Sequence, residues 1–286
     1  MEPGGTEVNV TILGSGSPIP DPHRAGPSTL VRTSAGDLLV DCGRGVLMRA
    51  AAAASGPGAF RAVFLTHLHS DHITDLNDVI TMRWAMSFQP SPLTVIGPVG
   101  TAALVVATEA MLAPDIGYRL AHHDDLGWRP ATESADVDQG VVFEADGVRV
   151  VAAPTDHAPV RPTVGYRIED GGHAVVVAGD TVPCDGLDQL CRGADVLVHT
   201  VVRRDIIEQI ALPRLLDVLD YHSSVEDAAR TAERNGVATL VLTHLVPAPA
   251  PGSEQEWVDL ASAHFGGTVV VAEDLTSWDV GSGAAR

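Results

Sequence analysis

Residues 66–72 read Thr66-His67-Leu68-His69-Ser70-Asp71-His72, directly after the apolar run Ala62-Val63-Phe64-Leu65. Four side chains able to bind a metal, His67, His69, Asp71 and His72, fall within six positions. A strand that ends in a turn so dense in imidazole and carboxylate has no packing use for those groups. They are the borderline and hard donors that divalent zinc, iron or manganese accept. Alternation lets His67 and His69 face one way while Asp71 and His72 sit further round the turn. One short loop can thus serve two adjacent metals.

Working outward, short strand-like runs alternate with helical ones from end to end, and no long linker divides them. Strands are expected at 8–13, 28–33, 37–41, 93–96, 148–152, 163–168 and 174–178, with later ones at 196–198, 240–242 and 269–271. Helices are expected at 46–54, 75–88, 100–112, 204–220, 224–235 and 254–264. The stretch 113–140, rich in Asp, Pro and Gly, gives the weakest signal. This pattern suits two mixed sheets packed face to face with helices outside, an α/β (α+β) sandwich formed by one domain over residues 1–286. Residues 281–286 are expected to be a disordered tail. Three of the strands end on a residue of ligand type: His157 after Val151-Ala152-Ala153-Pro154, Asp180 after Val175-Val176-Val177-Ala178, and His244 after Leu240-Val241-Leu242-Thr243. Rigid elements would present these groups at a common edge.

The chain resembles the metallo-beta-lactamase-fold hydrolases, in their ribonuclease Z-like and arylsulfatase-like branch. The resemblance runs through Leu13-Gly14-Ser15-Gly16-Ser17-Pro18, Asp41-Cys42-Gly43, the histidine loop, Gly165-Tyr166-Arg167-Ile168, Gly179-Asp180-Thr181, His222-Ser223-Ser224 and Thr243-His244. It implies a four-layer αββα sandwich with two metals at one edge. His67, His69 and His157 would hold the first, and Asp71, His72 and His244 the second, with Asp180 bridging. Five imidazoles and two carboxylates without a thiolate favour two zinc ions per chain, although iron or manganese fits the same set. Two Lewis acids roughly 3.5–4 Å apart ionise a bridging water, which attacks an electrophilic centre. Asp71 and His222 are the expected catalytic residues, His222 as general acid or oxyanion contact. Asp41 is expected to orient the histidine loop without binding metal.

Other numbers bear on the substrate. Thirty-seven acidic residues stand against 18 basic ones, a formal charge of −19, and a protein that grips a polyanion by its backbone needs the opposite field. Ribonuclease Z proteins usually carry a glutamate where this chain has Thr200, in His199-Thr200-Val201-Val202, and bacterial members clamp tRNA with a long arm before the Gly-Asp-Thr strand. Here the residues between Tyr166 and Asp180 fit a plain hairpin. These features favour a hydrolase of a small ester-like, lactone, amide or sulfate/phosphate ester substrate and disfavour nucleic acid as a partner. The alternative is a tRNA 3′-processing endonuclease or phosphodiesterase, and a second is a non-catalytic metal-binding protein.

Met82, Trp84, Met86 and Phe88 could wall a pocket above the metals, and Arg83 or Arg161 could contact an anion. His23 and the run His122-His123-Asp124-Asp125 read as surface, and Cys184 has nothing around it to activate a thiolate. No run approaches the roughly 18 apolar residues of a membrane span. Nor does Met1-Glu2-Pro3-Gly4-Gly5 resemble a signal peptide, and three irregularly spaced cysteines form no disulfide framework. A cytoplasmic protein is expected, and the resemblance implies a homodimer.

Overall fold

The computed structural model describes residues 8–210, 212–281 and 284–285. In chain order the elements begin with β1 (Asn9–Gly14), β2 (Ser28–Thr33), β3 (Gly36–Val40), α1 (Val46–Ala52), β4 (Phe60–Phe64), α2 (Ser70–Ile73), α3 (Leu76–Ala85), β5 (Leu93–Pro98) and α4 (Thr101–His122). The middle of the chain forms β6 (Thr132–Val137), β7 (Gly140–Ala145), β8 (Val148–Pro154), β9 (Val164–Asp170), β10 (His173–Val177), α5 (Asp185–Cys191) and β11 (Val196–Val202). There follow α6 (Arg204–Ile210), α7 (Pro213–Leu216), a 3-10 turn (Asp217–Asp220), α8 (Val225–Arg234), β12 (Thr239–Val246), α9 (Glu254–Ser262), β13 (Thr268–Val271), β14 (Ser277–Asp279) and β15 (Ala284–Ala285).

The strands form two mixed sheets. One runs β15-β14-β1-β2-β3-β4-β5-β6, the other β13-β12-β11-β10-β9-β8-β7. Alternation along each strand decides which layer a side chain joins. Val175 and Val177 face the opposing sheet, where they meet Val40, Phe64 and Ile12, while Val176 between them turns outward beneath α5 and α8. On the first sheet Leu38 and Val40 point inward, and Leu39 packs outward with Val46, Val79 and Val105 of the covering helices. Each sheet therefore has two apolar faces, one for its partner sheet and one for helices, which yields the four-layer αββα sandwich. Among the described residues no helix is long and apolar enough to cross a membrane.

Three expectations change in detail. Residues 204–220 do not form one helix, because Pro213 lacks an amide hydrogen and starts a new helix at its first position, after an extended Leu212. Helix α4 runs through Pro114 to His122, beyond the expected end at 112, because Ile116 and Leu120 pack against Trp84 and Leu126. The tail from 281 falls partly outside the described residues, and Ala284–Ala285 pairs with β14 where disorder was expected. The β9–β10 connection is a tight hairpin at Gly171 and Gly172, both at positive φ, so no arm leaves the sheet there.

Candidate metal centre

All seven expected ligand residues converge at one edge of the sandwich, where strand ends from both sheets meet. The histidine loop leaves β4, and His69 stands at the start of α2, which carries Asp71 and His72 inward. His157 follows β8, and Asp180 follows β10. His244 lies in β12 at φ 51, next to a break in register with β11. A positive φ is uncommon outside glycine, and here it re-aims the imidazole from the sheet toward the edge. Gly179, just before Asp180, also has a positive φ of 66, and a methyl added there would lie 2.7 Å from Cβ of Thr66.

The ring nitrogens face one another with little between them. Nε2 of His67 lies 3.1 Å from Nδ1 of His69, and Nε2 of His157 lies 3.4 Å from that same atom. Nitrogens held tetrahedrally at about 2.0–2.1 Å from a zinc ion stand about 3.3 Å apart, so this triangle fits a cation. In the second group Oδ2 of Asp71 is 3.5 Å from Nε2 of His72 and 3.3 Å from Nε2 of His244. Oδ2 of Asp180 reaches both groups, at 3.7 Å from His67, 3.9 Å from His157, and 3.5 Å from both His72 and His244. Its Oδ1 is buried with no hydrogen-bond partner among the described residues. A buried carboxylate left this way calls for a cation.

Neighbouring hydrogen bonds fix which ring nitrogen is free. His72 donates Nδ1–H to Asp41 (2.7 Å), and His157 donates Nδ1–H to the carbonyl of Tyr221 (2.8 Å). Thr66 donates its hydroxyl to Asp41 and sits 3.0 Å from Nδ1 of His67, whose N–H it can accept. Each of the three histidines thus keeps Nδ1 for a neighbour and turns Nε2 to the centre, the nitrogen a metal would bind. Asp41 is where it was expected, behind the loop. It also accepts the amide of Thr66 at 2.8 Å.

Electrostatics points the same way. Burial, helped by the neighbouring His72, pushes His67 well below the usual imidazole range, and burial takes His157 down to about 4. Burial also opposes charge on His72 and His244, yet Asp180 and its fellow carboxylates raise both above the usual range. Burial raises Asp180 too, but His244 and His72 hold it well below the carboxylate norm. Without a cation this buried negative cluster draws protons onto His72 and His244; a divalent cation can take their place.

His222, at the entry to α8, also belongs to the cluster. Its Nδ1 faces the carbonyl of Val218 at 3.1 Å and its Nε2 lies 3.2 Å from Oδ2 of Asp180. Thr200, standing where a glutamate was expected, instead donates to the carbonyl of Gly179 at 2.9 Å. A cavity of about 210 Å³ opens above the cluster, floored by His69, Asp180, His222 and His244. Its walls are Ser17, Pro18, Ile19, Leu215, Val218, Tyr221 and Val246.

Those walls differ from the expected ones. Trp84 is buried in a satellite core, and Met86 and Phe88 border a separate cleft with Trp128 that shares no residue with the metal cluster. Helical periodicity up to Ala85 turns these side chains away from the loop. Arg83 donates to the carbonyls of Pro57 and Phe60, and exposed Arg161 pairs with Asp156. His23 is exposed, as are His122 and His123 at the end of α4. The wall residues missed include Ile19, Leu215, Val218, Tyr221 and Val246; for Leu215 and Val218 the apolar spacing within 212–219 was the only signal.

A family profile described as "Beta-lactamase superfamily domain" matches residues 37–245. The ribonuclease Z of Mycobacterium bovis is 57% identical over 270 residues, covering 94% of this chain and 96% of that protein. The ribonuclease Z of Mycolicibacterium gilvum is 55% identical, covering 94% of each. Among solved structures, the metallo-beta-lactamase fold protein YhfI of Bacillus subtilis superposes with a TM-score of 0.72 at 24% identity, covering 96% of this chain and all of that one. The short form of human tRNase Z gives 0.70 at 23% identity, covering 95% and 99%. These relatives overturn the expected small-molecule substrate and the reading that disfavoured nucleic acid, because ribonucleases act on RNA. The missing arm carried no weight: the matched ribonucleases have nearly the same length as this chain, so a compact hairpin is compatible with their class. Net charge misled because it sums over the whole surface and says nothing of one cavity. The chain belongs to the beta-lactamase superfamily and, within it, to the ribonuclease Z family of metal-dependent hydrolases.

Proposed function

We propose that this protein is a ribonuclease Z-type phosphodiesterase that removes the 3′ trailer of tRNA precursors. The observation that carries the reading is the 57% identity to a ribonuclease Z along nearly the full length of both chains. In this reading His67, His69 and His157 hold one divalent cation, Asp71, His72 and His244 a second, and Asp180 touches both. The donor set suits zinc best, and iron or manganese could replace it. When bound, two such cations supply Lewis acidity for hydrolysis.

The chain's own groups do the rest. His222 keeps both of its contacts, to the Val218 carbonyl and to Asp180, only when both ring nitrogens carry protons. That is the form able to hand a proton to the departing oxygen, with Asp180 steadying its charge. The Val218 carbonyl orients this imidazole, the task that the absent glutamate would otherwise have. Asp71 would add a second carboxylate that orients the nucleophilic water. The apolar walls keep bulk water from the reacting phosphodiester.

One domain over residues 1–286 accords with β14, near the C-terminal end, pairing with β1. A cytoplasmic site of action goes with this substrate and with the free thiols of Cys42, Cys184 and Cys191.

The test is cleavage of a trailer-bearing pre-tRNA by zinc-loaded protein. We expect a single cut after the discriminator base, abolished by a chelator and restored by zinc, with His222→Ala slowing kcat by about 10²–10⁴. No cleavage by fully metal-loaded protein, or cuts scattered along the RNA, would contradict the reading.

A further inference from the structure

Resting on the ribonuclease reading, we infer that the apolar cavity above the metal centre is a nucleobase pocket, which holds a base flanking the scissile phosphodiester against Tyr221. Tyr221 is half-buried, its ring 5.2 Å from that of His157 and 4.8 Å from that of His222, so it stands directly over the reacting groups. Ile19, Leu215, Val218 and Val246 complete an apolar wall, and among the described residues the groups able to carry a charge near neutral pH are confined to the cavity floor.

Among the described residues no arginine lines this space. Arg214, next to Leu215 in sequence, is exposed and outside the lining, while Arg44 donates to the carbonyl of Ser17, Arg24 to Ser15 and the carbonyl of Ala272, and Arg203 pairs with Asp205 and Glu256. The segment that supplies Leu215 and Val218 carries Asp217 and Asp220 against Arg214, a net negative charge. Away from the metal centre the cavity walls thus offer a second phosphate no cationic partner, whereas a flat, uncharged base needs none. Stacking on an aromatic ring needs no cation and tolerates any base.

The assignment also answers how a chain of charge −19 engages RNA. Backbone contacts bind through counterion release, and affinity then falls steeply with salt. A stacked base releases no counterions, so this contact keeps its strength as salt rises.

The test uses metal-loaded full-length protein and pre-tRNA made abasic at either nucleotide beside the cleavage site. In wild type, removing the base on one flank should lower kcat/KM about tenfold to a hundredfold. Tyr221→Ala should cost a similar factor on the intact substrate, and combining it with base removal should cost no more than the larger single loss. Tyr221→Phe, which keeps the ring, should restore the rate, and the factor lost on removing the base should be the same at low and high salt. The pocket assignment fails alone if wild type cleaves both abasic substrates at full rate, if the two losses multiply, or if Tyr221→Phe is as slow as Tyr221→Ala. If wild type cleaves no pre-tRNA at all, the ribonuclease reading fails and takes this one with it.

Discussion

His199 shows what a single residue can and cannot declare. It precedes Thr200 in a run of apolar residues, and nothing in its neighbours separates it from a ligand by sequence. In the structure it is fully buried on β11, donates Nδ1–H to the carbonyl of Thr200 at 2.7 Å, and leaves Nε2 without a partner among the described residues. Burial lowers it to about 4, so the folded protein keeps it neutral. A depressed histidine gives stability that is fully present above the unfolded value near 6.5 and is lost as pH falls toward about 4. Metal-free wild type should therefore lose about 2 kcal/mol more than His199→Gln between pH 7 and pH 5, read from urea unfolding midpoints. Equal losses would show that His199 titrates alike in both states. The candidate ligand residues were legible because each ends a strand or crowds one turn. Their proposed division between two metals required the family resemblance, since spacing along the chain does not reveal which strand ends meet.

At the scale of elements, the two sheets were readable from short apolar runs, and the edge that bears the centre followed from what ended them. The segment 204–220 was not. Its apolar spacing suggested one helix, whereas Pro213 divides it and brings Leu215 and Val218 over the metal residues. Which way a broken helix folds back depends on its contacts with Val202 and Val246, which lie far apart in sequence. The junction of β10 with the histidine loop is equally tight. Gly179→Ala would meet both an unfavourable φ and the Thr66 side chain, which is bonded to Asp41 and lies beside Nδ1 of His67. We expect a loss of more than about 1 kcal/mol in thermal unfolding, together with faster loss of metal to a chelator. Unchanged stability and metal retention would mean that the loop shifts freely.

Across the whole molecule, acidity and a missing arm argued for a small substrate, and similarity to ribonucleases of the same length argues otherwise. Bulk charge averages over a surface that an RNA substrate would touch only in part. The architecture concentrates its chemistry where strand ends from both sheets meet, around an Asp180 carboxylate that faces five imidazole nitrogens. Metal content per chain is the most direct measure of that arrangement. Elemental analysis of protein purified from zinc-replete cells should find two divalent cations per wild-type chain, and fewer than one in Asp180→Ala. A wild-type chain without bound metal, or an Asp180→Ala chain that keeps both ions, would contradict the account.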